Sequence, residues 1–200
     1  MNTINLHGTI HNIRHSHTIG NVQYDRAELI VKNSNQAESV IHLKFKHTSN
    51  NHVDGDDIAI KGNIRSYSYS ENGKNRVEVY VFTYFEPADS DENYIELDGR
   101  ICKLSPIRQL TNGSQNIQFI LANNIIYDTA KLNSYIPCIA WNDVAKVLST
   151  LEVGTHLSIQ GELRSREYTK HNSDTGEDKF MLAHELLITS FELVEDEIES

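Results

Sequence analysis

The sequence predicts an all-β chain with one short helix, arranged as two tandem five-stranded Greek-key barrels. Three observations carry this. The chain repeats itself once, apolar and polar residues alternate at period two through both repeats, and the one helical pattern lies between the third and fourth strands of the second repeat.

The repeat is clearest at a glycine-marked stretch. Residues 55–70 read GDDIAIKGNIRSYSYS and residues 154–169 read GTHLSIQGELRSREYT. Gly55, Ile60, Gly62, Arg65, Ser66 and Tyr69 match Gly154, Ile159, Gly161, Arg164, Ser165 and Tyr168. Six identities in 16 positions exceed the roughly one that average composition gives. Each half opens alike, INLHGTI from Ile4 and IELDGRI from Ile95, and closes alike, at Phe85-Glu86 and Phe191-Glu192. Two small domains follow, over residues 1–88 and 94–194, with an acidic linker at 89–93 and an acidic tail at 195–200.

Taken in chain order, each half reads as strands. Ile58, Ile60 and Ile64 alternate with polar residues, as do Val77, Val79 and Val81, and Leu157, Ile159 and Leu163. Gly8, Gly62, Gly99 and Gly161 lie inside such strands, where a glycine marks the bulge or sharp bend that lets a small barrel coil. SENGKN (residues 70–75) and HNSDTGED (residues 171–178) are turn signals. Val144, Val147, Leu148 and Leu151 follow helical spacing, with Asn142 or Asp143 placed to cap and Gly154 placed to terminate. HTSNNHVD (residues 47–54) fills that place in the first half without the pattern and predicts a loop or single turn. Five strands with a helix between the third and fourth is the order of an OB-fold.

Composition excludes several classes. With 38% hydrophobic and 23% charged residues over 200 positions the chain is globular, and no stretch approaches the ~20 apolar residues of a membrane helix. The N-terminus lacks a basic and apolar leader, which predicts a cytoplasmic protein. Cys102 and Cys138 alone make neither a disulfide framework nor a zinc site. The net charge of −10 is unevenly spread. Six acids between Glu86 and Asp98 and five between Glu192 and Glu199 stand without a base among them, and the remaining 17 acids balance 18 bases. The excess acid reads either as solvated, solubilising charge or as a distribution that lets local basic patches survive elsewhere on the chain.

Several segments resemble the bacterial single-stranded DNA-binding protein family. They are Ile95-x-Leu97-x-Gly99-Arg100-Ile101, Phe119-Ile120-Leu121-Ala122-Asn123, the stretch from Tyr135 to Trp141 leading into the helix, and Gly161-Glu162-Leu163-Arg164-Ser165-Arg166-Glu167-Tyr168. The whole chain looks like a tandem variant carrying two such domains. The resemblance implies sequence-independent binding of single-stranded DNA in replication, recombination or repair, close to the nucleoid. It also implies a homodimer that supplies four barrels, and replication or repair proteins as further partners. By position it puts Trp141, Tyr135 and Tyr168 on the stacking face. The internal repeat then offers Phe45 and Tyr69 as counterparts of Trp141 and Tyr168, with only Ser39 opposite Tyr135. The tail lacks the terminal apolar tripeptide of the family, which leaves recruitment by that route in doubt.

The residues support that reading independently. A strand bound without sequence preference needs flat π-faces for bases and cations for phosphates. Arg65, Tyr67 and Tyr69 share one strand face, opposite inward Ile58, Ile60 and Ile64. Arg164, Arg166 and Tyr168 are the corresponding set in the second half. Phe45 stands between Lys44 and Lys46, an aromatic flanked by two bases. Trp141 ends a strand and precedes polar Asn142-Asp143, which suits partial exposure. The alternative for each aromatic is core packing. Lys103, Arg108, Lys131, Arg14, Arg26 and Lys32 are scattered bases that solvation alone explains. His7, His11, His15 and His17 would share a face of an uninterrupted strand, but no Cys or clustered carboxylate joins them, so no metal site is expected. Their protonation below about pH 6.5 would add positive charge. No phosphate-cradling glycine loop and no nucleophile–base set is present, so neither an enzyme nor a cofactor is expected. Single-stranded RNA stays open as a ligand, because stacking does not read the 2′-hydroxyl. The rival reading is an OB-fold protein–protein adaptor that has lost nucleic-acid binding.

Overall fold

The computed structural model describes residues 1–71, 73–90, 92–127, 130–171 and 178–195. The first half folds as β1 (Asn2–Ile19), β2 (Val22–Lys32), β3 (Glu38–Lys46), a single 3-10 turn over His47–Ser49, β4 (Asp57–Glu71) and β5 (Lys74–Pro87). The second folds as β6 (Tyr94–Leu104), the two-residue β7 (Arg108–Gln109), β8 (Gln115–Tyr127), β9 (Ala130–Trp141), α1 (Asn142–Leu148), β10 (His156–His171) and β11 (Asp178–Leu193). The first barrel closes in the order β1-β2-β3-β5-β4 and back to β1, the second in the order β6-β8-β9-β11-β10 and back to β6. Each closing pair, β3–β5 and β9–β11, is parallel; every other neighbour is antiparallel. Both halves are therefore five-stranded OB barrels, as expected. Among the described residues no helix is long and apolar enough to cross a membrane.

The alternation delivers the core. Ile4, Leu6, Ile41, Leu43, Ile60, Ile64 and Val81 fill the first barrel, and Ile95, Leu97, Leu121, Ile136, Ile159, Leu163 and Leu186 the second. The register slips between Lys61 and Gly62 and between Gln160 and Gly161, at the glycines that mark the bends. Glycine is required for space at Gly161: a Cβ there would lie 2.0 Å from the Leu187 carbonyl oxygen of the crossing strand.

Two local expectations change. Asn142 does not cap α1, because its side-chain carbonyl accepts the Gln115 N–H (3.2 Å) instead, and Trp141 occupies the cap position without a side-chain bond. The buried stripe of α1 runs through Ala145 and Leu148, with Val144 and Leu151 packed beside it, whereas Val147 is 54% exposed. Gly154 lies beyond the helix at φ 100°, in the turn that leads into β10.

The barrels are joined by an approximate two-fold. β1 and β6 pair antiparallel about Ile4↔Ile95, which are repeat-equivalent positions. On one side Asn2 donates to the Ile64 carbonyl (2.8 Å) and accepts the Ile64 N–H (2.9 Å). On the other, Asn93 does the same with Leu163 (2.8 and 3.2 Å). Serines repeat the pattern. The Ser165 N–H donates to Ser39 Oγ and the Val40 N–H to Ser165 Oγ, and the Ser66 N–H donates to Ser134 Oγ and the Tyr135 N–H to Ser66 Oγ. Each pair satisfies backbone groups that a sheet edge would leave open.

Candidate nucleic-acid interface

The outward faces of β3, β5 and β4 form one surface, and those of β9, β11 and β10 its counterpart in the second barrel. Alternation puts Arg65, Tyr67 and Tyr69 outward on β4, with Tyr67 and Tyr69 41% and 38% exposed and their rings 5.7 Å apart. On β10 it puts Arg166 outside and Tyr168 half-buried beneath it, the guanidinium 5.6 Å from the ring centre. Tyr135 and Trp141 stand on the outside of β9, 43% and 38% exposed.

Phe45 is a correction. It is fully buried, packed edge-on against Phe85 at 4.8 Å, and offers no face to a base. The strand registers explain why. Leu29 pairs Ile10 and Ile41, and repeat-equivalent Leu121 pairs Ile101 and Ile136. Counting along β3 and β9 from that anchor sets Phe45 against buried Ala140 and Lys46 against Trp141. A slip of one residue exchanges inside for outside. The same count sets Val40, not Ser39, against Tyr135. Phe45 belongs to the buried core with Phe85 packed against it, as do Ala140, Ala145 and Leu148 with Phe191 in the second half.

Arg164 and Lys44 are also placed differently from expectation. The Arg164 guanidinium grips the buried Glu162 carboxylate, which in turn accepts the Ser34 N–H and hydroxyl (2.9 Å each). Burial alone would raise the Glu162 carboxyl, but these donors outweigh it and hold it below its usual range. Arg164 thus belongs to the joint between the barrels. Lys44 sits over the rings of Tyr67 and Tyr80 at 4.1 and 4.2 Å and pairs with Glu78 at 3.6 Å. Burial lowers its ammonium pKa. The Tyr67 hydroxyl donates to Glu78, and burial with that bond raises the phenol. Lys46 stays at the surface, 5.7 Å from the Tyr84 ring.

Tyr80, Phe82 and Tyr84 on β5 are missed by reading the sequence alone. Val77, Val79 and Val81 alternate toward the inside of that strand, and every second position from Tyr80, through Phe82 to Tyr84, forms an aromatic row on the other face. Arg65 stacks on Phe82 at 4.1 Å, and Tyr24 adds a ring 6.4 Å from Phe82. A cleft lined by Tyr24, Lys46, Arg65, Tyr80 and Tyr84 opens along this row.

The four N-terminal histidines do not share a face. The register shifts between His11 and Arg14 and again between His15 and His17. His7 pairs Asp57 (3.0 Å), His15 lies 3.6 Å from Asp25, and His17 stacks on Tyr24 at 5.0 Å. No metal-binding cluster occurs among the described residues.

Fold and faces define a two-barrel OB protein with aromatic and cationic side chains outside each barrel. Residues 92–188, which span the second barrel, match the Single-strand binding protein family. The wild-type single-stranded DNA binding protein from Thermus aquaticus has the same fold, with a TM-score of 0.74 at 16% identity, covering 100% of this chain and 96% of that one. A deletion mutant of the same Thermus aquaticus protein gives 0.72 at 16%, covering 99% and 96%. No curated protein sequence matches the chain.

Proposed function

We propose that this chain is a non-enzymatic protein that binds single-stranded DNA without sequence preference, stacking bases on its aromatics and meeting phosphates with Lys and Arg. The observation that carries the reading is the exposure of Trp141, Tyr135, Tyr67 and Tyr69, with Arg166 and Lys46 on the outer faces of the same barrels, the second of which matches this family. An aromatic left outside a barrel costs solvation unless something covers it, and a base does so at ~1–3 kcal/mol each. Tyr168, Arg65, Tyr80 and Tyr84 complete the face. The two barrels, residues 1–88 and 94–194, act as two binding domains, and two chains pair to supply four. The role belongs to replication, recombination or repair.

The test is quenching of Trp141 fluorescence by an oligothymidine of about 35 nucleotides, long enough for more than one OB-fold. Quenching by single-stranded DNA that weakens as salt rises is expected, with duplex DNA and single-stranded RNA as controls. Absence of binding to any strand at low salt would overturn the reading and leave the protein–protein adaptor. Light scattering near 23 kDa rather than about 46 kDa, from a 22.8 kDa chain, would overturn the dimer.

A further inference from the structure

The approximate two-fold builds two grooves of equal size, and they carry opposite charge. In each, the long hairpin of one barrel overhangs the flank of the other. The first groove, about 350 Å³, lies where Tyr69, Arg76 and Val77 of the β4–β5 hairpin face Ile120 and Pro137. The second, about 370 Å³, lies where Phe180, Met181 and Leu182 of the β10–β11 hairpin face Glu28 and His42; Met181 and Leu182 also line the first groove, so this hairpin divides the two.

Their walls correspond residue by residue through the strand registers. Arg76 pairs Tyr69 as Met181 pairs Tyr168, Glu28 holds the place of Ile120, and His42 that of Pro137. The first groove continues onto Lys103, Arg166 and Tyr168, with Glu185 its one acid. The second has Glu28 and Glu167 and neither Lys nor Arg in its lining. Glu28 is held in place by Asn12 (2.7 Å) and by Arg14 at 3.6 Å.

We propose that a single strand crosses from one barrel to the other only through the groove between Tyr69 and Tyr168. This rests on the DNA-binding reading above. The two tyrosines are repeat-equivalent and line one groove, so a base leaving one barrel's face finds a π-face of the next. Arg76, Lys103 and Arg166 meet the phosphates between. In the second groove the same path would set phosphates against Glu28 and Glu167 within a Debye length of about 8 Å. Shape offers two crossings, and charge keeps one.

The experiment compares oligothymidines of about 12 and 35 nucleotides, which occupy one barrel and both. Lys103→Glu should weaken the 35-mer by about 5- to 10-fold, lower its salt slope by about 0.7, and change the 12-mer by less than about 2-fold. Glu167→Gln should leave both lengths unchanged. Photo-crosslinking of a 35-mer carrying 5-iododeoxyuridine should label Tyr69 or Tyr168 and spare Phe180. Equal loss for both lengths in Lys103→Glu, no loss for either, or an adduct at Phe180 overturns the single crossing while DNA binding stands. Failure of the unaltered chain to bind either length overturns both readings together.

Discussion

The two barrels share a backbone and exchange the strands that carry their chemistry. In the first, lysines 44 and 46 stand outside β3 and aromatics 80, 82 and 84 outside β5. In the second, Tyr135 and Trp141 stand outside β9, and the register places Glu185 and Leu187 where Tyr80 and Phe82 stand in the first. Only β4 and β10 agree, with tyrosine at 69 and 168. Outward positions of a barrel can trade residues because they pack only against one another, as Lys44 does on Tyr67 and Tyr80 and Arg65 on Phe82, provided each face keeps π-surface and charge. The inside differs as well: Phe45 stands where the register puts Ala140 in the second barrel, whose core also takes in Ala145 and Leu148 of α1.

The sharpest way to break this comparison is at Phe45 and Trp141. Phe45→Ala empties a fully buried site and should cost about 3–5 kcal/mol in urea unfolding. Trp141→Ala should leave unfolding within about 1 kcal/mol and cost ~1–3 kcal/mol of DNA affinity. Comparable stability losses in the two variants would mean that Trp141 is packed like Phe45. Next comes the strand crossing. A Cβ at Gly161 meets the Leu187 carbonyl oxygen at 2.0 Å, and at Gly62 meets a Val81 methyl at 2.6 Å. Overpacking costs about 1–3 kcal/mol and more where backbone must move. Gly161→Ala should therefore lower the melting temperature more than Gly62→Ala, and the reverse order would mean that the Leu187 carbonyl yields more readily than the Val81 methyl and the Phe82 carbonyl oxygen, 2.8 Å away, at Gly62.

A third difference titrates. Val79 in the first barrel corresponds to His184 in the second, where the ring donates from Nε2 to the Val40 carbonyl (2.8 Å) and stands edge-on to His42 at 4.7 Å. Burial, with His42 beside it, pushes the His184 pKa down to about 4. The unfolded chain takes up a proton below about pH 6.5 that the folded chain refuses until about pH 4. Stability should therefore fall as pH drops through that window, by up to about 3 kcal/mol. Melting curves of His184→Gln, which keeps a donor to Val40 without the titration, should fall less steeply over the same range. An unchanged slope would place the acid sensitivity elsewhere.

Much of this was legible in the residues. Ile58, Ile60, Gly62 and Ile64 announced a bent strand with a buried face, and the repeat at 154–169 announced a second barrel. Arg65, Tyr67 and Tyr69 were placed outside by alternation alone. The errors came where pairing sets register. Phe45 between two lysines resembles a binding motif until β2 fixes which way it points, and no local signal does that. Asn142 looked like a cap until Gln115, 27 residues earlier, claimed its carbonyl. Arg164 looked like its repeat partner Arg65 until Glu162 and Ser34 met it at the joint, a contact neither half contains alone. The aromatic row of β5 was visible in the alternation that runs on past Val81, and needed only the other face of the strand to be read.

The smallest effect tests the register itself. If Lys46 and not Phe45 is the counterpart of Trp141, then Lys46→Trp gives the first barrel a surface indole at the same place. Lys46 is half-buried on the outer face of β3, so the substitution should move stability by less than about 1 kcal/mol. Affinity should move only a few-fold, because stacking one further base offsets the missing cation at a phosphate. In a Trp141→Phe background the new indole should be quenched by the 35-mer. Phe45→Trp in the same background puts the indole in the core, where DNA does not reach and the emission should stay unchanged on binding. Quenching at 45 and none at 46 would reverse the inside and outside of β3, and with them the exchange of lysines for aromatics between the two barrels.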